Sequence, residues 1–145
     1  MSGEVLCRDD LVEYVMATHY VCILGYSVDY GAQEMRISTE RQGKRLEFRF
    51  EELLAHHFDH AGSRNVIYDI VSVPLGDFIN AEQKQLSHAL RYGFPAPVGG
   101  GLDELQRSLT EQGYRVFEIR ASVGLYGYVI AKRLVIEPSQ PSGTA

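Results

Sequence analysis

The sequence predicts an α+β domain: a single, mostly antiparallel, strongly bent sheet with helices packed on one face. Three observations predict it. Residues 35–50 alternate apolar and charged side chains about a Gln42-Gly43 turn, as a half-solvated hairpin must. Hairpin-like pairs of strands recur, while the strand–helix–strand alternation of a doubly wound parallel fold is not sustained. The chain has 145 residues, 45% hydrophobic and 23% charged, enough for one domain with a true core. That domain is expected over residues 1–137, followed by a flexible tail over 138–145.

At the N-terminal end, Asp9 or Asp10 can cap a helix to about Met16, with Leu11, Val12 and Val15 on one side. From 17 to 30 the period becomes two. Tyr20, Cys22, Leu24, Tyr26 and Val28 share a face opposite Val21 and Ile23, so the first half of this strand is expected to be covered on both sides. Cys22 is accordingly expected to be a buried, inert thiol. After Gly31, Met35 and Ile37 face one way while Glu34, Arg36 and Ser38 face the other. Leu46, Phe48 and Phe50 resume the apolar face against Arg45, Glu47 and Arg49.

A helix is predicted over residues 51–61, with Gly62 as its stop. Residues 65–73 form a strand apolar on both faces (Val66, Tyr68, Ile70; Ile67, Val71, Val73), ended by Pro74 and Gly76. Asn80 is expected to cap a helix to about Tyr92, with Gln83 in the capping-box position. Residues 93–101 hold two prolines and four glycines and form a loop. Leu102, Leu105 and Leu109 stripe another helix ending at Gly113. Strands over 114–121 and 126–136 close the domain. Ile37, Leu46, Phe48, Ile70, Phe117 and Ile119 are the expected core.

Charge narrows the function. Fourteen Lys and Arg face nineteen Asp and Glu, a net charge of -5, which repels phosphate backbones, so no nucleic-acid partner is expected. The basic stretch over 41–49 is interrupted by Glu47 and alternates with apolar residues. No apolar run approaches the roughly 20 residues that cross a bilayer, and the first ten residues lack a signal-peptide layout. No membrane partner and a cytoplasmic location are therefore expected. Cys7 and Cys22 form no metal spacing.

The densest cluster of reactive side chains is Ala55-His56-His57-Phe58-Asp59-His60. On a helix, Phe50, Leu53, Leu54, His57 and Ala61 share one face, placing His57 in the core stripe, His60 at its margin and His56 further out. His56 and His60 are four apart, the spacing at which two imidazoles reach one metal. The helix lacks the glutamate of the zinc-protease pattern, and His19 and His88 are isolated, so the histidines read as structural, with no metal or cofactor. Val98-Gly99-Gly100-Gly101-Leu102 lacks the Lys-Ser or Lys-Thr of a phosphate loop, and Asp103 and Glu104 already occupy the next helix's first turn. Gly124-Leu125-Tyr126-Gly127-Tyr128 reads as a tight turn whose tyrosines cover the sheet. Its small residues beside aromatics would also line a pocket, admit a second backbone closely, or suit a protein interface.

The hydrophobic spacing of Met35-Arg-Ile-Ser-Thr, Leu46-Glu-Phe-Arg-Phe-Glu-Glu-Leu and Asn65-Val-Ile-Tyr-Asp-Ile resembles that of small bacterial proteins of uncharacterised function. Some proteins of that kind are immunity proteins that neutralise a toxin from the same locus. The likeness spans residues 17–73 and assigns no functional residue. It favours a non-enzymatic, acidic binding protein, an immunity-type inhibitor of a basic protein partner, with no catalytic residue. Glu51, Glu52 and Asp59, or Asp103, Glu104 and Glu111, are the candidate partner faces. The alternative is a small-ligand-binding protein or enzyme using the helix of His56, His57 and His60 with Tyr126 and Tyr128.

Overall fold

The computed structural model describes residues 4–5 and 18–139. The helix expected before Met16, Cys7, and residues 140–145 of the expected tail lie outside the described residues.

The described strands are β1 (Glu4–Val5), β2 (Val21–Asp29), β3 (Glu34–Arg41), β4 (Lys44–Glu51), β5 (Ala55–Asp59), β6 (Val66–Val73), β7 (Arg115–Val123), β8 (Tyr126–Ala131) and β9 (Arg133–Pro138). They form one sheet in the order β1-β9-β4-β3-β2-β6-β7-β8-β5, with every neighbouring pair antiparallel. The described helices are α1 (Leu75–Ala81), α2 (Gln83–Ala89), which runs into a 3-10 turn over Leu90–Tyr92, and α3 (Leu102–Gln112). This is an α+β architecture. None of the described helices is long and apolar enough to cross a membrane.

The β3–β4 hairpin lies where the alternation predicts it, with Met35 opposite Phe50 and Ile37 opposite Phe48. All four side chains are fully buried. Their outward neighbours form a mixed-sign lattice in which Arg49 reaches Glu51 at 3.0 Å and also Glu137, while Arg36 reaches Glu34 and Glu47. Of the expected core, Ile37, Phe48, Ile70, Phe117 and Ile119 are buried, and Leu46 packs partly buried against them.

The hydrophobic interior divides in two. Met35, Ile37, Phe48, Phe50, Phe117, Ile119, Val129 and Leu134 belong to one cluster. Ala55, Val116, Tyr128 and Ile130 join Phe78, Leu86, Leu105 and Leu109 of the helices in the other. Along β7 and β8, successive residues alternate between the clusters, as the two-residue period of a strand requires. The helices therefore lie on one face of this part of the sheet.

Several sequence expectations are corrected. Residues 51–61 are not a helix. Glu52 takes a left-handed φ of 54°, Leu53 N–H donates to Gln33 O, and Leu54 N–H donates to Ile130 O. Residues 55–59 then pair with β8. Leu53 enters the first cluster while Leu54 packs on the second. Consecutive leucines on opposite faces define an extended chain, and pairing with a distant strand has overridden local helix propensity. Gly62 is no helix stop; its N–H donates to Asn65 Oδ1 and its carbonyl accepts from Asn65 Nδ2, both at 2.9 Å.

Asn80 is not a cap. α1 starts after Pro74, whose carbonyl accepts from Phe78 N–H at 3.0 Å, and proline suits a helix start. The earlier start is what lets Phe78 and Ile79 bury against the sheet. Glu82 separates α1 from α2. The strand expected over 126–136 divides at Lys132 into β8 and β9, whose positions in the sheet are far apart. Cys22 is exposed rather than buried, and Leu24 is 52% exposed. The two-sided cover expected for the first half of β2 does not form: Val21 is buried and Ile23 packs on the first cluster, while Cys22 and Leu24 on the opposite face are exposed.

Candidate functional site

The candidate site grows from the β5–β8 pairing. His57 lies opposite Tyr128, Phe58 opposite Gly127, and Asp59 opposite Tyr126. Gly127 permits this register. Its φ is +155°, and a Cβ there would sit 1.9 Å from the His57 carbonyl oxygen, so only glycine allows the backbones to approach this closely. Gly124, with φ +77°, turns the chain into β8, and Leu125 N–H donates to Asn65 Oδ1 at 3.0 Å.

Extended backbone sends successive side chains of β5 to opposite faces. Ala55, His57 and Asp59 face the helices; His56 and Phe58 face away. His57, expected in the core, is half-exposed instead. It stacks on Tyr128 at 5.8 Å between ring centroids and holds Nε2 3.2 Å from Asp59 Oδ2. His56, expected further out, is the more buried of the two. It hydrogen-bonds Tyr30 Oη through Nε2 at 3.0 Å and stacks on that ring. Burial, then the neighbouring His57, holds its pKa below the ordinary imidazole value. His60 meets the edge of Tyr126 at 5.1 Å. Residues four apart along a strand are separated by roughly 13 Å, so His56 and His60 lose the metal spacing that a helix would give them. Among the described residues, no three His, Cys, Asp or Glu side chains come together as a metal cage.

On the helix side of the sheet, Val73, Val116, Ile130 and Ala55 are covered by α1, α2 and α3. The same face continues past the helices to Asp59, Tyr126, Glu118 and Arg120. At this boundary lies an open cleft of about 650 Å³, walled by Asp77, Phe78 and Ala81 of α1 with Glu82 just after it, and floored by β5, β7 and β8. A smaller hollow of about 300 Å³ adjoins it, shares His57, Glu82 and Tyr128, and runs toward Leu86 and Phe94. Of the alternative ligand-binding residues, the cleft brings together His57, Tyr126 and Tyr128; His56 and His60 do not line it.

The cleft carries an unbalanced negative charge. Asp59, Asp77, Glu82 and Glu118 line it, with Arg120 the one Arg or Lys among its lining residues. Arg120 is committed elsewhere: its guanidinium binds both oxygens of Asp69, Nε at 2.6 Å, and lies 5.8 Å from the Tyr68 ring centroid. The effect is visible on Tyr128, whose phenol is pushed up to about 12 by burial and then by the carboxylates of Glu82 and Asp59. Tyr128 stays neutral at any physiological pH.

The partner faces expected from sequence fare differently. Glu51 is bound by Arg133 at 2.9 Å and Arg49 at 3.0 Å. Glu52 is bound by Arg133 at 3.2 Å and Lys132 at 3.6 Å. Neither shares a face with Asp59, since no helix joins them. On α3, Arg107 bridges Glu104 and Glu111, while Asp103 stands exposed in the first turn. Sequence reasoning missed Asp77, Glu82 and Glu118. The parity of β7 carried a signal: Glu118 and Arg120 follow Val116 at two-residue steps, so a face that starts apolar turns charged where the helices end.

No protein-family model, curated protein or solved structure matches this chain.

Proposed function

We propose that this chain is a non-enzymatic acidic binding protein, an immunity-type inhibitor of a basic protein partner, which it meets at the carboxylate-lined cleft. The observation that carries the reading is the contrast among its carboxylates. Glu34, Glu40, Glu47, Glu51, Glu52, Asp69, Glu104, Glu111 and Glu137 each engage an arginine of the same chain. Around the cleft, Asp59 meets only His57, and Asp77, Glu82 and Glu118 form no ion pair among the described residues. A partner's arginines and lysines supply the missing charge. Such complementarity speeds encounter and selects against wrong partners more than it adds raw affinity.

The resemblance over residues 17–73 supports the immunity-type reading and, with it, a bacterial and cytoplasmic setting. A strongly bent sheet belongs to the same proposal. One hydrophobic cluster holds Met35 and Phe50 from one half of the strand order and Phe117 and Val129 from the other, which a curved sheet explains.

The test is capture from lysate of the source organism at low salt, followed by association kinetics across a salt series. A basic protein whose association slows steeply with salt, and slows further when Asp77 and Glu118 are neutralised, is the expected result. Association indifferent to both changes would refute the reading.

A further inference from the structure

A second feature of the cleft is independent of its carboxylates. Tyr128 is only 9% exposed, yet its hydroxyl forms no hydrogen bond with any described residue. No polar side-chain atom of the described residues is sealed from solvent without a partner, so the hydroxyl keeps access to solvent on a side chain that lines both hollows. A phenol buried to this degree, with its oxygen unbonded to the rest of the chain, can accept from a donor that enters the cleft. The surroundings specify which donor. Phe78 makes a T-shaped contact with Tyr128 at 4.7 Å between centroids and His57 stacks on it at 5.8 Å, so aromatic surface lies beside the carboxylates. Aromatic faces attract cations, and attract guanidinium and alkylammonium groups most usefully when carboxylates stand nearby. A volume of about 650 Å³ falls within the range of small-molecule sites.

We propose that the cleft is an organic-cation site: a guanidinium or alkylammonium head donates to Tyr128 and is countered by Asp59, Asp77, Glu82 and Glu118. The proposal rests on the reading that the partner is basic, and it names the chemistry of the contact: one arginine or lysine side chain of that partner inserts here. A free amine or guanidine of similar length carries the same head group.

The ionised head suits the site better than a neutral one for two reasons. The carboxylates leave a net negative potential that a neutral amide does not relieve. The Tyr128 phenol, neutral at physiological pH, offers its oxygen as acceptor to the donating head. An anion meets repulsion from four sides.

The experiment uses the full chain, isotope-labelled, titrated with butylguanidinium, butylammonium, butyramide and butyrate while amide and aromatic NMR signals are followed. Saturable shifts at Phe78, Tyr126, Gly127 and Tyr128 are expected for both cations in the millimolar range, and none for butyramide or butyrate. Glu118→Gln should weaken butylguanidinium about fivefold, and Tyr128→Phe by a similar factor, with both variants retaining the parent's spectrum elsewhere. Equal shifts from butyramide, or cation shifts confined to other surfaces, would overturn the proposal. A blocked Gly-Arg-Gly peptide separates the sources: binding at least as tight as butylguanidinium supports a protein side chain, whereas exclusion of the peptide with retention of butylguanidinium supports a free small cation. Should neither cation bind while a basic protein is still captured in a salt-dependent way, this inference fails and the broader reading stands. Should the cations bind while no basic protein is captured, the reverse holds.

Discussion

Replacing Gly127 with alanine attacks the site through the backbone that builds it. An L-residue held at φ +155° costs on the order of 1–3 kcal/mol. The new Cβ would also lie 1.9 Å from the His57 carbonyl oxygen and 3.0 Å from Phe58 Cα. These are backbone atoms that cannot swing aside. β5 must retreat by roughly 1.5 Å to restore ordinary contact, which stretches adjacent ladder bonds past useful length. Losing two of them adds about 1–3 kcal/mol. The total is about 2–6 kcal/mol, a large share of the roughly 5–15 kcal/mol that holds a domain folded. Urea denaturation monitored by circular dichroism measures it. Gly99→Ala is the control, since its Cβ would meet open space, and should stay within about 0.5 kcal/mol of the parent. In Gly127→Ala the Tyr128 phenol should also ionise earlier, because the retreat of β5 wets it. A Gly127→Ala protein as stable as Gly99→Ala would refute the close approach of β5 to β8, and with it the position of His57 and Asp59 in the cleft.

Three further outcomes are expected. Phe48 is fully buried, so Phe48→Ala should lose about 3–5 kcal/mol in urea denaturation; a loss below 1 kcal/mol would remove that ring from the core. Burial depresses His56 below the ordinary value of 6.5. Its contribution to stability is therefore complete above about pH 6.5 and is lost as pH falls through the folded value, because the unfolded chain takes up the proton first. His56→Gln, which cannot titrate, should flatten that acid limb in denaturation measured between about pH 7 and 5. Tyr128 is raised to about 12, so ultraviolet titration should show a late-ionising tyrosine fraction that vanishes in Tyr128→Phe. With the folded value raised, this group favours the folded state below about pH 10 and ceases to do so as pH rises through 12.

What could be read from the residues alone was local. The hairpin with Ile37 opposite Phe48 was readable because alternation and turn lie within one short segment. α3 was readable because Leu102, Leu105 and Leu109 fall on one stripe and Gly113, with φ +84°, ends it. The histidine segment misled because Leu53, Leu54 and Phe58 also fit a helical stripe, and its true partner, Tyr126–Ala131, lies far downstream. Correcting that one element moves His57 from core to cleft and His56 from surface to a bond with Tyr30. The cleft was invisible for the same reason. Its carboxylates come from β5, α1, β7 and the residue between α1 and α2, and only the sheet order brings them together. Of the six acidic residues named from sequence, Asp59 lines the cleft, and Glu51, Glu52, Asp103, Glu104 and Glu111 do not.

The most direct test compares two charge-neutralised proteins in association with the captured basic partner at low salt. One carries Asp77→Asn and Glu118→Gln in the cleft; the other carries Glu104→Gln and Glu111→Gln on α3, where Arg107 already balances the charge. Each pair removes two negative charges, so any difference reports location rather than net charge. Stopped-flow association should slow about tenfold for the cleft pair and by less than about twofold for the helix pair, with the gap closing as salt rises. Equal slowing, or a larger effect from α3, would contradict the assignment of the cleft as the contact surface.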